Sequence, residues 1–219
     1  MKKLIDSGIF FFAVALLSPQ IVEAQGTTYL SNLGSPSGGN IAVGSDLWQA
    51  APFHSGNNAG GYSLNFVQLA MTDASGNPSG FTVMLYTSVL SLDGHPGISL
   101  GSLSGSANPS TAGTYTYTAA SEITLSQNGH YFIVVTAGTS LANGAYNWSV
   151  DSTTPPYSLN WGQENGISHS SNGSAWVGNY GYLQYALNAT AVPEPSTLGL
   201  LGLGGLLLGW RWRKAKGVK

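Results

Sequence analysis

Between residues 25 and 191 no stretch carries helical periodicity with caps. Short alternating or fully apolar runs follow one another instead, separated by turn clusters. That pattern restricts this region to an antiparallel β fold of about nine to eleven short strands. Thr114 to Thr118 alternates strictly, with aromatic rings on one face and threonines on the other. Tyr131 to Val135 is apolar throughout and reads as a central strand buried on both faces. In Tyr62 to Met71 the apolar phase changes: Tyr62, Leu64 and Phe66 share one face, and Val67, Leu69 and Met71 the other. A bulge, or burial of both faces, accounts for such a change. Phe81 to Tyr86, Ile98 to Leu103, Ile123 to Leu125, Ala145 to Val150, Tyr157 to Trp161 and Tyr180 to Leu187 complete the expected strands, and Gly76-Asn77-Pro78-Ser79-Gly80 and Gln127-Asn128-Gly129 are expected turns. The expected fold is all-β, an antiparallel β-sandwich of jelly-roll type over residues 45–191. Residues 25–44 read as a flexible entry segment with a loop over Ser35 to Asn40.

Charge is distributed unusually. All seven Lys and Arg lie at positions 2 and 3 or from 211 to 219, so residues 25–191 contain none. Asp46, Asp73, Asp93, Glu122, Asp151 and Glu164 give that region a net charge near −6. Without a cation it cannot neutralise phosphates, which excludes nucleic acid as a partner. It also lacks the Arg that would clamp an anionic substrate. Cysteine is absent, which removes disulfides, thiolate metal sites and Cys nucleophiles.

The two ends read as address labels. Lys2 and Lys3 precede an apolar run from Ile9 to Leu17, and Val22-Glu23-Ala24 places small residues before a cut. This predicts a signal peptide over 1–24, cleaved between Ala24 and Gln25. At the other end, Val192-Pro193-Glu194-Pro195 is followed by an apolar run of 13 residues, Leu198 to Trp210, and then by Arg211, Arg213, Lys214, Lys216 and Lys219. As a helix, 198–210 would be roughly 20 Å long at ~1.5 Å per residue. The hydrocarbon core of a bilayer is ~30 Å thick. Such a transmembrane helix suits transient rather than permanent anchoring, with the basic end kept in the cytoplasm. Residues 192–219 resemble the PEP-CTERM sorting signal of Gram-negative bacteria. The resemblance implies an exosortase as transient partner at the inner membrane, and delivery to the outer cell surface or extracellular matrix.

A second resemblance covers roughly residues 45–150. It is carried by Leu47 to Phe53, Tyr62-Ser63-Leu64, Phe81 to Tyr86, Pro96-Gly97, Leu103-Ser104-Gly105, Tyr115-Thr116-Tyr117, Leu125 to Gly129, Tyr131 to Val135 and Tyr146-Asn147-Trp148. These positions are similar to the choice-of-anchor domain group, type R. That group brings no catalytic residues to transfer.

Local motifs for chemistry are few. His54, His95, His130 and His169 are far apart in sequence, and none has metal-ligand spacing. Asp73-Ala74-Ser75-Gly76-Asn77 sets oxygen donors at alternate positions, so Asp73 and Asn77 are Ca²⁺ candidates, but the same residues make a hairpin turn. No pair of the six acids has a local motif for glycoside hydrolysis, and no Gly-x-Ser-x-Gly elbow is present. The expectation is therefore a non-enzymatic exported protein without a cofactor. Aromatic rings crowd the last third: Trp148, Tyr157, Trp161, Trp176, Tyr180 and Tyr182. Trp148, Trp161, Trp176 and Tyr180, with amides such as Asn160 and Gln163, are candidate contacts for an exopolysaccharide; the same rings also suit a core. A carbohydrate-binding module is thus the alternative to a structural role, and an uncharacterised hydrolase the minor one.

Overall fold

The computed structural model describes residues 26–89, 94–153 and 160–194. The expected signal peptide 1–24, the hydrophobic run 198–210 and its basic end lie outside that set, as do Asp93, Tyr157 and Pro195. The described residues form fifteen strands: β1 (Thr27–Ser31), β2 (Ser37–Val43), β3 (Trp48–His54), β4 (Tyr62–Gly76), β5 (Thr82–Ser88), β6 (Pro96–Ser104), β7 (Gly113–Ala119), β8 (Thr124–Leu125), β9 (His130–Thr136), β10 (Gly144–Asp151), β11 (Gly162–Gln163), β12 (Ile167–Ser170), β13 (Val177–Asn179), β14 (Tyr182–Leu183) and β15 (Tyr185–Ala191). Among the described residues there is no α-helix, only a 3₁₀ turn at Leu141–Asn143. Every strand pair is antiparallel, and all the strands belong to one hydrogen-bonded network, as expected for an all-β sandwich.

The main path runs β1-β15-β4-β7-β6-β5-β9-β3-β12-β13. The long β4 ties the layers together. Its first part pairs with β15 and β7, and its end, Met71 to Gly76, pairs with β10. The phase change in β4 is a bulge at Asn65: Phe66 lies opposite Asn188, whereas the next pair is Leu64 with Ala189. The extra residue lets Leu64 and Val67 both enter the core. Its side chain is used as well, since Asn65 Nδ2 donates to Asn188 Oδ1 at 2.8 Å.

β9 is flanked by β5 and β3, which explains its unbroken apolar run. Tyr131, Ile133 and Val135 face the main core, and Phe132 and Val134 face a second, smaller cluster with Ala50. Trp48, Met84, Tyr86 and Trp176 pack over that second cluster. The turn before β9 is as expected, with Asn128 at φ 51°.

Three expectations are corrected. The segment 25–44 is no separate entry arm: β1 pairs with β15, and β2 pairs with β10, with part of the expected Ser35–Asn40 loop inside β2. Its Ser, Gly and Asn residues hide the strand because few side chains of β2 are buried. Residues 73–80 form no hairpin turn. β4 continues to Gly76, and the chain then crosses to β5, which is not a neighbour of β4. Strand number exceeds the expectation because pieces as short as two residues, such as β8, β11 and β14, carry no readable period.

Buried polar groups are linked rather than scattered. Asn32 Nδ2 donates to Asp151 Oδ2 at 2.9 Å and to the Leu183 carbonyl at 3.0 Å. Its Oδ1 accepts from Gln163 Nε2 at 3.0 Å and from the Tyr185 backbone N–H at 2.8 Å. The ends of β1, β10, β11, β14 and β15 are thereby joined through one amide.

Candidate functional site

Two regions bear on function. The first is the exit of the chain from the domain. β15 ends at Ala191, the Val192 N–H donates to the Gly61 carbonyl at 3.0 Å, and Asn58 Nδ2 donates to the Val192 carbonyl at 2.8 Å. Gly60 permits this approach, because a Cβ there would lie 2.3 Å from the Val192 oxygen. Beyond this clip Pro193 and Glu194 are exposed. The domain thus presents the first residues of the Pro-Glu-Pro motif to solvent, immediately after its last strand.

The second region is an open groove of about 720 Å³ on the outer side of β3, β9 and β12. Pro52 and Phe132 line it with apolar surface, and Ser168, Asn165 and Asn179 add hydrogen-bonding groups. Alternation along the strands selects the residues facing it. Ala51 and Phe53 point into the main core, which turns Pro52 and His54 outward. Tyr131 and Ile133 likewise turn His130 and Phe132 outward. The register pairs His54 with His130 directly, and β11 pairs Gly162 with His54. Glu164 follows β11, its N–H donating to the Pro52 carbonyl at 3.4 Å.

Sequence reasoning treated these three residues as isolated, yet the fold brings them together. His130 Nδ1 and Glu164 Oε1 lie 2.5 Å apart, and His54 Nδ1 lies 3.4 Å from the same oxygen. The two imidazole centroids are 5.8 Å apart. With Glu164 ionised, the His130 Nδ1–H donates to it. The three side chains keep 27%, 24% and 22% of their surface exposed for His54, His130 and Glu164, so the cluster faces the groove. On the inner side, burial raises the Tyr185 phenol well above its usual range, and the nearby Glu164 carboxylate raises it further. No local motif signals this cluster, because it is made by the β3–β9 register and the short β11.

His95 lines the same groove, and His169 lines an adjoining one that shares Asn179 and Tyr180. All four histidines therefore lie on one region of the surface. Among the described residues, no group of three or more His, Asp or Glu could hold a metal ion.

The ring candidates divide sharply. Trp148 and Trp161 are core residues at 0% and 1% exposure, so neither can stack on a ligand. Trp148 Nε1 donates to the Gln184 carbonyl, and Trp161 stacks on Tyr29 at 4.7 Å. Trp176 is partly buried over the second cluster. Tyr180 is 93% exposed and stands at the edge of both grooves. Gln163 is buried and bonded to Asn32. Of the Ca²⁺ candidates, Asp73 Oδ1 accepts from the Ala112 N–H at 2.8 Å, and the backbone N–H of Asn77 donates to the Asn143 carbonyl.

A family profile described as the PEP-CTERM protein-sorting motif matches residues 191–214. Comparison with curated proteins and with solved structures gave no match. No helix among the described residues is long and apolar enough to cross a membrane.

Proposed function

We propose that this chain, which its PEP-CTERM motif marks as an exported protein sorted by an exosortase with transient anchoring at the membrane, is a non-enzymatic component of the cell surface or extracellular matrix of a Gram-negative bacterium. Its domain belongs, on this reading, to the choice-of-anchor group of type R. The observation that carries the proposal is the exposed exit at Pro193-Glu194, directly after the last strand, where a membrane enzyme can reach it without unfolding the domain. The hydrophobic run 198–210 then serves as a temporary anchor and the basic end as its cytoplasmic stop. Fractionation of cells producing the full chain tests this. The natural chain is expected in the surface and extracellular fractions, whereas Glu194→Ala is expected to accumulate at the inner membrane. Equal surface delivery of both would overturn the proposal.

A second reading, binding of a neutral exopolysaccharide, is favoured by Tyr180. Its exposed ring stands beside Asn179 at the groove edge, and the domain has no cation to select an acidic polymer. Tyr180→Ala is expected to weaken retention on a neutral polysaccharide column by about tenfold, ~1.4 kcal/mol. Absence of retention of the natural protein on every neutral polysaccharide tried removes this reading.

A further inference from the structure

We propose that Asn58 is a positioning residue for exosortase processing: it clips the backbone of Val192 to the domain and so presents the sorting motif at a fixed reach. The inference rests on the sorting route proposed above. The clip grips main chain only. Asn58 Nδ2 donates to the Val192 carbonyl at 2.8 Å and to the Gly61 carbonyl at 2.6 Å. The Val192 N–H closes the ring by donating to that same Gly61 carbonyl at 3.0 Å. The loop behind it is itself held. The Asn58 N–H donates to the hydroxyl of the buried Tyr62, Gln127 Nε2 donates to the Asn57 carbonyl at 2.7 Å, and the Asn128 N–H donates to the Gly56 carbonyl at 2.8 Å. Val192 is thus fastened to the body of the domain although β15 ends at Ala191.

The grip stops where the sequence makes it stop. Pro193 has no N–H, so a ladder cannot run on past Val192. A residue before proline is biased to extended backbone, which applies to both Val192 and Glu194. The motif therefore starts as an extended arm rather than a slack tether. Five residues, Pro193 to Thr197, separate the clip from the hydrophobic run. At ~3.3–3.6 Å per residue they span at most about 18 Å. While the run is anchored, the clipped end of the domain stays that close to the membrane. The amino end agrees. Thr27 pairs with Ala189, and Asn188 Nδ2 donates to the Gly26 carbonyl, so the chain enters the domain at the end of the sheet from which it leaves. Opening the clip frees Val192 and slackens the arm, and the enzyme must then fix that backbone again before it can cut.

Pulse labelling of cells producing the full chain, with conversion of precursor to processed protein followed over time, tests this. Asn58→Ala removes both donations and is expected to slow tail removal by at least about fivefold, the order set by the entropy of fixing one residue's backbone. Gly60→Ala attacks the clip from the other side, because a methyl group there collides with the Val192 carbonyl, and should do the same. A third variant separates positioning from stability. Gly-Ser-Gly-Ser-Val inserted between Val192 and Pro193 leaves the clip and a Val-Pro-Glu-Pro sequence intact but puts a flexible link between them. It should be slowed too, while circular dichroism of the recovered protein shows the melting of the natural domain. Where a substitution costs the fold, the insertion carries the test. A natural rate in the insertion variant overturns the proposal, and so does a natural rate in folded Asn58→Ala; Asn58 then only ties down the end of β15. A natural chain that keeps its basic end at the surface overturns the sorting reading, and this inference with it.

Discussion

Replacement of Trp148 by Ala is expected to lower the stability of the domain by about 3–5 kcal/mol. Trp148 is wholly buried at the middle of β10, opposite Ile41 of β2 and Met71 of β4. It therefore fills the place where three strands meet, and strands held by hydrogen bonds on both sides cannot easily collapse into the void. A second cost arises because the indole N–H satisfies the Gln184 carbonyl in a buried position. Loss of that donor strands an acceptor, at about 1–3 kcal/mol if no water enters. For a domain whose total stability is typically about 5–15 kcal/mol, the change is severe. Thermal unfolding followed by circular dichroism should show a melting temperature lower by about 10 °C or more. A fall of only a degree or two would mean that Trp148 does not occupy the core.

The change with the next largest effect is Asn32→Leu. It keeps much of the volume but removes all four hydrogen bonds of the amide. The partners left behind include the Tyr185 N–H and the Asp151 carboxylate, both buried. At ~1–3 kcal/mol for each orphaned group, the loss is about 3–5 kcal/mol. Acid titration separates this mechanism from simple packing loss. Burial alone would raise the Asp151 pKa, but hydrogen bonds from Thr153, Asn32 and Ser35 outweigh it and hold the carboxyl below its ordinary value. A depressed folded value gives stability that is fully present above the unfolded carboxyl pKa, ~3.9, and is lost as pH falls through the folded one. Without Asn32 the folded value rises towards the unfolded one, so the variant should lose less stability in acid. The gap between natural protein and variant is then widest near neutral pH and narrows below pH ~4. A gap constant with pH would contradict the role given to Asn32.

Much of the β architecture is legible in the sequence because it is written in local periods. The bulge of β4 at Asn65 shows as a shift of apolar phase nearby, between Phe66 and Val67, and the central place of β9 shows as an uninterrupted apolar run. β2 is hidden by its Gly and Ser content, and β11 to β14 by their brevity. Ring exposure is likewise not local: Trp161 and Tyr180 look alike in sequence, yet one lies in a stack with Tyr29 and the other in solvent. The His54–His130–Glu164 cluster was the least accessible of all. Its members are joined by pairing between β3, β9 and β11, and no sequence spacing encodes that register. A partial clue was present in the charge distribution, since the histidines are the only side chains of residues 25–191 able to become cationic.

The sorting route makes the most direct demand on the mature molecule. Intact-mass spectrometry of the protein recovered from the cell surface or surrounding matrix reads both of its ends. The expected species begins after Ala24 and ends near Pro193-Glu194-Pro195, without the hydrophobic run and the basic end. Surface material that still extends through Lys219 would contradict exosortase processing.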